Sequence, residues 1–155
     1  MKREALSILS GYFSNQIEII YKIIEDIKSV SPNTREETSH LGYLLHNLYC
    51  AIEDLFQEIA KTFENNIEDL SKYHRELLKR MHIEIPSIRP KLLSNEAYTL
   101  LDELRGFRHI FRHSYDYELS SIKVENIKEK VLNNWNNVQK DLNFFKEFLE
   151  RTIEN

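Results

Sequence analysis

The sequence predicts an all-α fold, an elongated antiparallel bundle of four long helices plus one short helix. Three observations carry this. Glycine and proline are scarce, three of each, which is too few turn formers for a sheet-rich chain of this length. Apolar residues recur at spacings of three and four along four long stretches, the signature of one buried helix face. Hydrophobic residues make up 41% and charged residues 30% of the 155. That balance is neither disordered nor membrane-embedded, and the length suits one domain spanning residues 1–155.

The first helix is expected from near residue 3 to Val30, with Leu6, Leu9, Phe13, Ile17, Ile20, Ile24 and Ile27 on one face. Pro32 ends it, because the residue before a proline is pushed out of helical backbone angles. Thr34 to Glu37 has the spacing of a capping box, in which each end satisfies the other's free amide, so a second helix starts there. Its stripe is Leu41, Leu44 or Leu45, Leu48, Ile52, Leu55, Ile59 and Phe63, longer than an ordinary globular helix. A turn at Glu64 to Asn66 precedes a short helix over Ile67 to His82. The stretch from Ile83 to Pro90 carries two prolines and reads as an extended loop. A fourth helix begins after Ser94 or Asn95, both good N-caps, and buries Ala97, Leu100, Leu101, Leu104, Phe107 and Phe111. Periodicity lapses from Ser114 to Leu119. A last helix then carries Ile127, Val131, Trp135, Val138, Leu142, Phe145, Leu149 and Ile153.

The formal net charge is −4, so bulk electrostatics argue against a protein that coats nucleic acid. The single cysteine, Cys50, excludes an internal disulfide framework and falls in an apolar helical pattern, where a buried thiol is expected. The start lacks the apolar stretch of a secretory signal, and no run is long enough to span a bilayer. A cytoplasmic setting with no membrane association is expected.

Local charge overrules the sum in one place. Arg105, Arg108, His109, Arg112 and His113 put three arginines and two histidines into nine residues with no acid among them. Gly106 sits mid-helix within this run, where it costs about 1 kcal/mol relative to alanine, and predicts close backbone packing. Arg108 shares a face with Leu101, Leu104 and Phe111, so its charge is drawn toward the core or an interface and needs an anionic partner, such as a ligand phosphate. Tyr115 and Tyr117 follow directly. Arginine, histidine and tyrosine together, without metal-binding carboxylates, suit phosphoryl chemistry. A histidine would deprotonate a ribose 2′-hydroxyl or protonate the leaving 5′-oxygen, and an arginine would stabilise the doubly charged phosphorane. Such a cleavage needs no metal and no cofactor. Residues five apart are about 140° out of phase on a helix. Arg108 and His113 therefore converge only if the helix ends or distorts near His113, or if two protomers share the site, and a two-fold dimer also supplies a second histidine.

With those residues in hand, the sequence resembles a HEPN-domain ribonuclease toxin of the HepT type. The group's motif, Arg-x4-His-x-Tyr, matches Arg108, His113 and Tyr115. The likeness also takes in Tyr73 through Leu77, the proline-containing loop to Arg89 and Pro90, and Asn95 through Leu119. The resemblance implies a homodimeric, metal-independent ribonuclease acting as the toxin of a toxin–antitoxin pair, with its active site at the dimer cleft. It implies Arg108 and His113 as catalytic residues. It further implies a nucleotidyltransferase antitoxin that binds the toxin and AMPylates Tyr115, where added negative charge and bulk would occupy the place of the RNA phosphate. Arg105, His109, Arg112 and Tyr117 are candidates for RNA or phosphate contact. Both tRNA and mRNA are open as substrates, with a slight lean to tRNA. The alternative is a non-catalytic helical module that docks a nucleotidyltransferase or a nucleotide.

Other polar residues invite weighing. His109 and His113 have the spacing of a metal pair on a helix, but the sequence offers no obvious further ligands for zinc. His74 is a polar surface histidine or a second RNA contact. His46, Tyr49 and Glu53 lie at spacings of three and four and either support the cleft or form an ordinary polar face. Trp135 belongs to the core. Asp116 and Glu118 read as solvated loop residues.

Overall fold

A computed structural model describes residues 3–64, 74–114 and 118–155. They form five helices in the order α1 (Arg3–Ser29), α2 (Arg35–Glu64), α3 (His74–Met81), α4 (Asn95–Arg112) and α5 (Ser121–Glu154). The described residues contain no strand, only an isolated bridge between Ile85 and Arg89. The expected all-α bundle of four long helices and one short helix is what folds. The first half of the expected short helix, up to Tyr73, lies outside the described residues.

The helix boundaries follow the local signals. The Thr34 hydroxyl accepts the Glu37 amide at 3.1 Å, so α2 starts at its cap, although the reciprocal half of the box does not form. Ser94 caps α4 by accepting the Ala97 amide. The Asp141 carboxylate holds that cap from α5, taking both the Ser94 amide at 2.8 Å and its hydroxyl at 2.7 Å. Ser120 caps α5 in the same way, accepting the Lys123 amide.

The predicted stripes form most of the core, with Ile17, Phe111, Ile127 and Ile153 only partly buried against it. Leu6, Leu9, Phe13, Ile20, Ile24 and Ile27 of α1 pack with Leu41, Leu45, Leu48, Ile52, Leu55 and Ile59 of α2, and α5 adds Val131, Trp135, Val138, Leu142, Phe145 and Leu149. α2 is the centre of the bundle, touching α1, α3, α4 and α5. Two polar side chains occupy stripe positions and are buried because each meets a backbone carbonyl. Gln16 donates to Ala51 across α1 and α2 at 2.8 Å. Lys128 donates to Val30 at 2.7 Å, a cation where the carbonyls at the end of α1 concentrate partial negative charge.

The loop between α3 and α4 is tied by Arg89, which is buried. One of its terminal nitrogens donates to the Ile83 and Pro90 carbonyls, and the other to the Arg80 carbonyl and the Glu64 carboxylate. Ser87 turns the loop with a φ of 67°. This staple fixes where α4 begins, and α4 carries the basic cluster.

Candidate functional site at the end of helix α4

The cluster occupies the last two turns of α4, which ends at Arg112. Along a helix Arg108 and Arg112 are neighbours one turn apart, whereas His109 and His113 lie on an adjacent face. His113 is the C-cap, with φ −107° and ψ 14°. Its Nδ1 lies 2.9 Å from the His109 carbonyl. A carbonyl only accepts, so Nδ1 carries a proton, and Nε2 has no partner among the described residues and is open to take or give one. The two imidazoles are 4.4 Å apart, tilted by 39°. The helix therefore does end at His113, yet the ring folds back onto its own turn. It does not swing across to Arg108.

The three arginines have different electrostatic fates. Arg105 gives its Nε and one terminal nitrogen to Asp102 at 3.0 and 2.8 Å, a neutralising partner just outside the nine-residue window. Arg108 is half-buried, and its Nε is buried with no hydrogen-bond partner. Among the described residues neither Arg108 nor Arg112 is paired with a carboxylate. A half-buried guanidinium without an anion is a site for one, because desolvation without compensation is costly.

α2 supplies the opposite wall. His46, Tyr49 and Glu53 follow one another along one side of the helix, and Tyr49 and Glu53 are buried, so they are not a solvated polar face. The His46 ring stacks on Phe111 of α4, with centroids 5.1 Å apart and planes at 24°. Burial first, then the nearby Arg108 and Arg112 guanidinia, push the His46 imidazole below its ordinary pKa. Tyr49 is pushed well above the ordinary phenol by burial and by the Glu53 charge, against the pull of Arg105 and Arg108. Glu53 spends its charge on His74, whose Nδ1 lies 2.6 Å from a Glu53 carboxylate oxygen. His74 is thus an anchor between α3 and α2, not a free surface histidine.

Two further details adjust the sequence reading. A side chain at Gly106 would meet nothing within 4 Å, so its expected close backbone contact is absent among the described residues. The close approach falls at Gly42 instead, where an added Cβ would lie 2.9 Å from Leu119 and 3.2 Å from the Phe111 ring. Gly42 lets that ring settle on α2, beside His46. Cys50, expected to be buried, is half-buried, with its sulfur 3.7 Å from His46 Nε2. Trp135 is in the core as expected, and Glu118 pairs with Arg35 at the surface.

Tyr115, Asp116 and Tyr117 lie outside the described residues. Beside the end of α4, a cavity of about 240 Å³ is lined by Arg35, Thr38, Ser39, Phe111 and Ser114. Among the described residues no three His, Cys, Asp or Glu side chains are grouped to hold a metal ion, and no helix is long and apolar enough to cross a membrane.

Residues 40–149 match the family model for HepT-like protein. The match covers α2 to most of α5, and so both walls of the site. No curated protein and no solved structure shows significant similarity to the chain.

Proposed function

The chain belongs to the HepT-like family, and from that premise we propose that it is a metal-independent ribonuclease toxin held in check by a nucleotidyltransferase antitoxin. The observation that carries the reading is the half-buried Arg108, which has no carboxylate partner among the described residues, near a C-cap histidine whose Nε2 has no partner there either. A phosphodiester offers the missing anion. Arg108 would clamp it and stabilise the phosphorane, and His113 would carry a proton during attack by the ribose 2′-hydroxyl. The products are a 2′,3′-cyclic phosphate and a 5′-hydroxyl. The substrate is RNA, with tRNA favoured.

The active unit on this reading is a homodimer with the site at its cleft. Arg108 and His113 sit about 140° apart on one helix, and the His113 ring is held back on His109, so a single chain does not bring them together. Among the described residues nothing lies within 4 Å of where a Gly106 side chain would sit, which suits close approach by a second copy. Tyr115, two residues beyond His113, is the acceptor of AMP from the antitoxin, and the added phosphate would compete with RNA for the arginines.

The test is incubation of the purified protein with total RNA in EDTA, followed by sequencing of the cleavage ends. Wild type is expected to leave cyclic-phosphate ends, and His113→Ala to leave the RNA intact while remaining folded. A need for divalent metal, or wild-type cleavage by His113→Ala, contradicts the mechanism. Incubation with the cognate nucleotidyltransferase and ATP checks the switch: Tyr115→Phe is expected to lose the label.

A further inference from the structure

Cleavage by 2′-hydroxyl attack moves two protons, one off the nucleophile and one onto the leaving oxygen, and groups poised in opposite protonation states serve it best. The motif supplies one histidine per chain. A second imidazole lies near enough to the same arginines to feel their charge. His46 is fixed in plane by its stack on Phe111 and is close enough to Arg108 and Arg112 to respond to both charges. Neither of its ring nitrogens has an oxygen or nitrogen partner among the described residues. Only the Cys50 sulfur is near, at 3.7 and 3.9 Å, a weak donor at that range. Phe111 also lines the cavity at the end of α4, together with Arg35, Ser114 and Glu118, so the ring that holds His46 borders open space.

Resting on the ribonuclease reading above, we infer that His46 is a second catalytic histidine, the base that takes the 2′-hydroxyl proton, while His113 is the acid. In the forward step the 2′-O–H bond breaks and its proton passes to an unengaged His46 nitrogen as the 2′-oxygen bonds to phosphorus. The bond from phosphorus to the 5′-oxygen breaks, its electron pair stays on that oxygen, and the proton on His113 Nε2 neutralises it. The proton on Nδ1 remains on the His109 carbonyl throughout. One histidine has gained a proton and the other has lost one, and exchange with water resets both without a co-reactant. The charged and titratable groups that act on His46 among the described residues are Arg108 and Arg112 from α4, with the Cys50 thiol beside it on α2. Burial first, and then the two guanidinia, favour the neutral form that a base requires.

A substrate with sulfur in place of the bridging 5′-oxygen separates the roles, because a thiolate leaves without protonation. The variants are His46→Gln, and His46→Phe, which keeps a ring on Phe111 without a proton acceptor. Each is expected to lower kcat on ordinary RNA by about 10²–10³-fold with KM changed only a few-fold, and neither loss is repaired by the sulfur substrate. His113→Ala is expected to regain most of its loss on that substrate. If His46→Phe cleaves within a few-fold of wild type while His113→Ala is inactive, His46 is a packing residue and the assignment is overturned. Rescue of the His46 variants but not of His113→Ala overturns it too, by reversing the roles. Wild-type protein that cuts no RNA fells the ribonuclease reading first, and the assignment with it.

Discussion

Arg89 and Arg108 are the same residue type in two regions of one molecule, with opposite uses. In the loop before α4, both terminal nitrogens of Arg89 are consumed by the Ile83, Pro90 and Arg80 carbonyls and the Glu64 carboxylate, and its side chain is 0% exposed. At the end of α4, Arg108 has no carboxylate partner among the described residues; a buried Nε without a partner there is common to both arginines, so the difference lies in the terminal nitrogens. An arginine whose donors are spent inside the fold is a staple. One whose donors are spare keeps its binding capacity for something outside the fold, and stability is the cost of keeping it so.

That difference can be broken from either side. Arg89→Ala should be the most damaging to stability, because it leaves several buried carbonyls unpaired and the 11%-exposed Glu64 with only its longer pairing to Arg80 at 3.6 Å. Loss of one partner of a buried pair costs about 3–5 kcal/mol, readable as a large fall in thermal midpoint. Arg108→Ala should do the reverse. Its midpoint should stay within about 0.5–1 kcal/mol of wild type, while RNA cleavage falls by about 10²–10³-fold. Arg105→Ala tests whether pairing decides the outcome within the cluster itself. Arg105 is engaged by Asp102, so cleavage should drop only a few-fold in the same assay.

The smallest effect is electrostatic. Arg112 helps hold His46 below its ordinary pKa, after burial and Arg108. Removing that positive charge makes the protonated imidazole easier to form, so the pKa of His46 rises. The base is then blocked at a higher pH, and the acid limb of kcat/KM should move upward in Arg112→Gln. Arg112 is exposed to solvent screening, so the upward shift is expected to be small. A downward shift would remove His46 from that limb.

The helices were legible because their signals are local. Stripes at spacings of three and four, the Thr34 and Ser94 caps and the prolines of the loop each act over a few residues. Pairings across the chain were not. Glu53 and His74 are 21 positions apart, so each alone looks like an ordinary polar residue. Gln16 and Lys128 are polar residues in buried positions, rescued by distant carbonyls that no window contains. The glycines show the limit most clearly. Gly106 drew attention for its place in the cluster, but Gly42 is where another element comes close, and only the fold decides which element lies opposite. Of the site, the motif residues on α4 were visible as a charge run, whereas the α2 wall was visible only as a spacing. What joined them, Phe111 stacked on His46, read simply as part of a core stripe.

On the proposed reading Arg108 and His113 act together although one chain holds them apart. Mixing subunits tests it directly. Arg108→Ala and His113→Ala chains, each inactive alone, are denatured together, refolded and assayed for RNA cleavage in EDTA. If the site is shared, mixed dimers rebuild one intact pairing of Arg108 from one chain with His113 from the other. Random assortment then restores about a quarter of wild-type activity. A mixture as inactive as its two components would contradict the account.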